Sequence, residues 1–136
     1  MVDDATMLQL VAAARVARER AYAPYSRFLV GAALLDEMGH IHAGCNIENA
    51  AYPQGQCAEA SAIAHLVLAG GTRILAAAVV GVAPEAVTPC GGCRQRLREF
   101  AADDAPVWAA DLQTVRSTFT LGQLLPASFG PQHLEK

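Results

Sequence analysis

Met7, Leu10, Val11, Ala14 and Ala17 recur at helical spacing, which predicts a first helix over residues 4–21 with Pro24 just beyond its end. The pattern then shortens to two strand-length segments, 28–35 and 40–47, separated by Asp36-Glu37-Met38-Gly39. A link that short permits an antiparallel hairpin and excludes a parallel crossover. Alternation along the second strand puts Ile41, Ala43, Cys45 and Ile47 on one face, and Asn46 and Glu48 on the other. A second helix is expected from near Gln56 to Gly70-Gly71, a usual glycine stop. The almost unbroken apolar run 74–82 reads as a strand covered on both faces. A third helix begins near Cys90, with Cys93, Leu97 and Phe100 on one side. Segments 107–110 and 114–119 form a second antiparallel pair across Asp111-Leu112-Gln113, and Thr120 with Gln123 fits a capping box for a short last helix.

The order αββαβαββα, with a central strand buried on both faces, predicts an α/β fold. It is a three-layer α-β-α sandwich around a five-stranded mixed sheet, with residues 1–136 forming a single domain. Hydrophobic residues make up 53% of the 136 and charged residues 17%, which suits a compact globule and disfavours disorder. The net charge is −3 and no Lys/Arg block occurs, so the chain lacks the clustered cations that a nucleic-acid polymer needs. An uncharged small molecule is compatible with that balance. No apolar run approaches the roughly 18 residues that span a bilayer, so no membrane partner is expected. Asp3 and Asp4 replace the basic opening of an export signal. Four cysteines without such a signal point to reduced thiols, used for metal or catalysis, and to a cytoplasmic location.

Chemistry concentrates in Cys57-Ala58-Glu59 and Pro89-Cys90-Gly91-Gly92-Cys93. A lone C-x-x-C fits structural zinc, redox chemistry or plain burial. Here both elements stand at predicted helix starts, separated by one strand. Catalytic zinc takes three protein ligands and leaves a fourth position for water. Cys57, Cys90 and Cys93 supply three, and partial positive charge at helix N-termini helps hold thiolates there. Glu59, two residues from a ligand, can reach water at the open position. A ligand-x-Glu followed by P-C-x-x-C is the general pattern of zinc deaminases, with the Glu as acid and base. A closed structural site would need a fourth ligand. Cys45 reads instead as a small buried hydrophobe, and His40, His42, His65 and His133 as solvated or hydrogen-bonded side chains.

Beyond these motifs, the chain closely resembles the homotetrameric cytidine deaminase family. Ala23-Pro24-Tyr25-Ser26-Arg27-Phe28, Val30-Gly31-Ala32-Ala33, and Gly44-Cys45-Asn46-Ile47-Glu48-Asn49-Ala50-Ala51-Tyr52 carry the likeness. So do the two cysteine motifs, the latter with Arg94-Gln95, and the terminal Leu125-Pro126-Ala127-Ser128-Phe129. The resemblance implies one Zn²⁺ per subunit and hydrolysis of cytidine and deoxycytidine to uridine and deoxyuridine, a reaction of pyrimidine salvage. It also implies a homotetramer with sites at subunit interfaces. By residue, Asn46 and Glu48 would bond the ribose 3′-hydroxyl, Phe28 would pack on the pyrimidine, and Ala58 would offer backbone contacts. Phe129 would close the site from a neighbouring subunit, and Tyr52 would lie near a subunit contact. Many all-cysteine members carry an arginine directly after the catalytic glutamate, where this chain has Ala60. Zn²⁺ with three thiolates is net negative, so compensation is expected from the helix N-termini, or from Arg94 or Arg96 beside the last ligand. The bland reading of both arginines is a solvated helix face.

Competing readings are a deaminase of a modified nucleoside or nucleoside antibiotic, a polynucleotide deaminase and a structural zinc module. Asn46-Ile47-Glu48-Asn49 favours an ordinary ribose. Acidic charge and the short 111–113 link oppose the polynucleotide reading. In a structural module Glu59 would be dispensable.

Overall fold

The computed structural model describes residues 2–135. Helix α1 spans Asp4–Arg18, and the Asp3 side chain caps it by accepting from the Thr6 amide at 2.8 Å. It ends at Arg18, short of the predicted end at Ala21. Arg20 and Ala21 close tight turns onto Ala17 and Arg18, and the Tyr22 amide then donates to the Asn46 carbonyl at 3.0 Å. That long-range bond pulls the chain out of the helix.

Strands β1 (Gly31–Asp36) and β2 (Ile41–Cys45) pair antiparallel as expected. Helix α2 (Ala58–Leu68) leads through Gly70, at φ 94°, to β3 (Ile74–Val80). Then come α3 (Gly91–Arg98), β4 (Pro106–Ala110), β5 (Val115–Thr120) and α4 (Leu121–Leu124), the last closed by the predicted Thr120–Gln123 capping box. The sheet order is β2-β1-β3-β4-β5, with β3 and β4 parallel and every other pair antiparallel. The predicted mixed five-stranded sheet is therefore present.

The buried strands split their side chains between two cores. Leu10, Val11 and Ala14 of α1 pack with Ala33, Ala76, Ala78 and Trp108 on one face. Leu66 of α2, Leu97 of α3 and Leu121 of α4 pack with Leu34, Ala77 and Val107 on the other. Three layers result. Two glycines bring the helices close. A Cβ on Gly31 would lie 1.9 Å from the Ala14 carbonyl oxygen, and one on Gly44 would lie 2.4 Å from the Ala62 amide.

Close approach of α2 changes the reading of β2, because both of its faces are covered. His42 is buried and bonds Asp36 at 2.8 Å, so it is the hydrogen-bonded kind of histidine. Ile47 is exposed rather than aligned with Ile41, because the strand stops at Cys45. Cys45 is half-buried, not fully buried as expected. No helix among the described residues is long and apolar enough to cross a membrane.

Candidate metal centre and active site

Parallel β3 and β4, with α3 between them in sequence, bring the start of α3 beside the start of α2. Cys57 is the N-cap of α2 and Cys90 the N-cap of α3. Cys93, one turn into α3, is fully buried. The three sulfurs lie within 4.8 Å of one another, and those of Cys57 and Cys90 are 3.9 Å apart. Tetrahedral coordination at the usual zinc–sulfur bond length separates sulfurs by about 3.8 Å. A disulfide needs about 2.05 Å. The spacing suits a shared metal and not a covalent pair. Among the described residues no fourth His, Cys, Asp or Glu joins the group, and Cys45 lies outside it. Three soft donors with one open direction fit a catalytic zinc.

Burial pushes the thiols of Cys57 and Cys93 above the ordinary cysteine value, and for Cys93 the charge of Glu59 adds to it. Cys90 is also pushed up by partial burial, but bonds from the Cys93 amide and the neighbouring thiols outweigh this and hold it low. A metal entering the trio must displace protons.

Glu59, in the first turn of α2, is only 4% exposed. Burial raises its carboxyl above the usual range, opposed in turn by its own backbone amide, the Cys93 thiol and, least, the charge of Arg96. A buried carboxyl beside three thiols is placed to take and return a proton.

A backbone bridge links this centre to the other candidate residues. Ile47 and Gln56 exchange amide–carbonyl bonds of 2.9 and 2.8 Å, which sets the Asn46–Glu48 segment beside the approach to Cys57. The Ser61 hydroxyl reinforces the link by donating to the Cys45 carbonyl at 2.9 Å. Asn46 donates from Nδ2 to the Phe28 carbonyl at 2.8 Å and accepts from the Val30 amide at 2.9 Å. Its amide therefore braces the segment carrying Phe28. Glu48 accepts from the Tyr25 and Ser26 amides at 2.9 and 3.1 Å, and from the Ser26 hydroxyl. The Ser26 hydroxyl bond leads in holding its carboxyl low, against a smaller effect of burial. Tyr25, Ser26, Glu48, Asn49, Tyr52 and Gly55 line a cavity of ≈ 370 Å³.

The candidate residues thus form two groups. Cys57, Cys90, Cys93 and Glu59 make one, with Ala58 buried between them in α2. Phe28, Asn46 and Glu48 make the other. Phe129 joins neither. It is exposed, stacked on His133 at 4.9 Å, and its carbonyl accepts from Gln95 at 2.9 Å.

Two arrangements were not legible in the sequence. Arg94 anchors the turn before Cys90 by donating to the carbonyls of Pro89 (2.7 Å) and Leu124 (2.9 Å) and to the Thr88 hydroxyl (3.0 Å). Arg98 ties the C-terminal segment down through Ser128 and Gln132. Spacing on α3 was the available signal, since Arg94 and Arg98 stand four apart on one helix face.

Comparison with known proteins agrees with this geometry. The family described as "Cytidine and deoxycytidylate deaminase zinc-binding region" matches residues 4–109. A cytidine deaminase of Sporosarcina psychrophila is 44% identical over 126 residues, covering 93% of each chain. One of Mycobacterium tuberculosis is 41% identical over 116 residues, covering 85% of this chain and 84% of that one. The crystal structure of cytidine deaminase from Burkholderia pseudomallei superposes with a TM-score of 0.85 at 41% identity, covering 90% of this chain and 98% of the other. Fold and site together define a zinc-binding deaminase. The chain belongs to the cytidine and deoxycytidylate deaminase family.

Proposed function

We propose that the protein is a zinc-dependent cytidine deaminase, hydrolysing cytidine and deoxycytidine to uridine and deoxyuridine with release of ammonia. The observation that carries this reading is the trio of thiols within 4.8 Å beside the buried carboxyl of Glu59. Cys57, Cys90 and Cys93 are the proposed ligands. Zinc bound there supplies a Lewis acid that makes water a nucleophile at neutral pH.

Glu59 takes a proton from the attacking water and delivers one to ring N3 as oxygen adds to C4. It then moves the proton of the new C4 hydroxyl to the exocyclic amine. The C4–N bond breaks, ammonia leaves and a carbonyl forms at C4, so water is consumed and the carboxylate is regenerated. Phe28 packs on the ring, and the Ala58 backbone contacts the base. Asn46 and Glu48 hold the ribose 3′-hydroxyl with the bonding capacity left over from bracing residues 25–30: one N–H of Asn46, and the remaining lone pair on Oε2 of Glu48. Phe129 closes the site from a neighbouring subunit, near Tyr52.

That last assignment implies a homotetramer. Exposed Tyr25 and Tyr52, edge to face at 5.9 Å on the cavity wall, support it as aromatic surface open to a partner. A role in pyrimidine salvage in the cytoplasm is consistent with four unpaired cysteines. The antiparallel β4–β5 hairpin and the acidic charge argue against a polynucleotide substrate.

Ammonia release from cytidine, adenosine and free cytosine by zinc-loaded protein tests the reading. Turnover of cytidine without the other two is the expected result. Inertness toward cytidine with zinc bound would refute it.

A further inference from the structure

Charge balance at the metal centre calls for a cation. Three thiolates outweigh the charge of Zn²⁺, and an ionised Glu59 adds a further negative charge in a site where both it and Cys93 are buried. Each helix N-terminus contributes at most about half an elementary charge, shared with solvent. The residue following Glu59 is Ala60, so α2 brings no side-chain cation to the next position.

Helix α3 carries three arginines, and their hydrogen bonds separate them. Arg94 is spent on Thr88, Pro89 and Leu124. Arg98 is spent on Ser128 and Gln132. Arg96 points its Nη1 at the Cys93 sulfur, 3.6 Å away, and has no other hydrogen bond or ion pair among the described residues. Side chains on a helix lean toward its N-terminus, so an arginine three residues after a ligand falls naturally on that ligand.

Two small residues leave it room. Ala60 lines the same groove between α2 and α3 as Arg96. A Cβ on Gly92 would stand 3.3 Å from the Arg96 Nη1.

We propose that Arg96 is a positioning residue of the metal centre, whose guanidinium, lying in the space beside Ala60, donates to the Cys93 sulfur and offsets the negative charge of the zinc site. The inference rests on the zinc-deaminase reading and goes beyond it by assigning the compensating charge to α3. It predicts that the charge can be moved across the groove, because residues 60 and 96 face the same space.

The test compares wild type, Arg96→Gln, Arg96→Lys, Arg94→Gln and the double variant Ala60→Arg/Arg96→Gln. Zinc affinity is read by competition with a chelator, the sulfur-to-metal charge-transfer band by cobalt substitution, and kcat and KM on cytidine. Outer ligands of this kind change metal affinity or activity by about 10–100-fold. The exposed stem of Arg96 argues for the low end. Arg96→Gln is expected to weaken zinc binding and lower kcat about tenfold each, shift the cobalt band and leave KM within about twofold. Arg96→Lys should recover part of the loss, and the double variant most of it. Arg94→Gln should lower Tm without changing zinc affinity.

Zinc affinity and kcat of Arg96→Gln within about twofold of wild type would overturn the proposal. So would a zinc defect confined to Arg94→Gln. Because the metal readouts need no turnover, a wild type inert on cytidine alongside an Arg96→Gln zinc defect would refute the proposed function and support this inference.

Discussion

Glu59 and the three cysteines were legible in the sequence because a metal site constrains residue type and spacing together. The structure adds the 3.9 Å sulfur separation and the burial that raises the Glu59 carboxyl. Cys90→Ser should abolish stable zinc binding, measured as metal content after dialysis. Asn46 was legible only in part. Its bonds to Phe28 and Val30 span 18 and 16 residues, beyond any local pattern. Asn46→Ala leaves an amide and a carbonyl without partners, so it should lower stability by about 1–2 kcal/mol as well as raise KM. Chemical denaturation separates that effect from lost substrate contact. Arg94 and Arg96 stood as equal candidates in the sequence, since both follow Cys93 closely, although two residues apart on a helix they leave on different faces. Only the direction each side chain takes from the helix divides them.

Among elements, the apolar periodicities give every helix and strand of the sheet in order, while the ends belong to tertiary contacts. The first helix stops at Arg18 because Tyr22 pairs with Asn46, and β2 stops at Cys45 before the Ile47–Gln56 bridge. The β1–β2 hairpin shows the same dependence. Glu37 at its turn accepts from the Thr72 amide at 3.0 Å, the Thr72 hydroxyl at 2.9 Å and the Arg73 amide at 3.1 Å. The Thr72 amide leads in holding the Glu37 carboxyl down from 4.5 to about 2. A carboxyl lowered on folding stabilises the protein above its unfolded value, and that stability is lost as pH falls through the folded value. The Tm gap between wild type and Glu37→Gln should therefore be full at about pH 7 and shrink from about pH 4.5 to about 2. A gap that stayed constant across that window would remove the carboxylate from the account. Core packing has a plainer signature: Leu66→Ala, at a fully buried position under the sheet, should destabilise by about 2–5 kcal/mol.

For the molecule as a whole, the two short links at 36–39 and 111–113 make the outer pairings of the sheet readable from sequence. Strand order across the middle is not readable, because β1–β3 and β3–β4 pairings join segments far apart in the chain. That middle order sets the metal site: parallel β3 and β4 bring both helix N-termini to one end of the sheet. The exposed aromatic pair belongs to this scale as well. A light-scattering mass four times that of the chain is expected, and a monomer active at high dilution would contradict a site completed by a neighbouring Phe129.

The central claim is that Glu59 moves the protons of a reaction carried out at a three-thiol zinc site. Its most direct test measures zinc content and ammonia release together for wild type and Glu59→Gln. The account predicts equal zinc in both and a fall of about 10²–10⁴-fold in kcat for the variant. A Glu59→Gln protein that kept its zinc and turned over cytidine near the wild-type rate would contradict it.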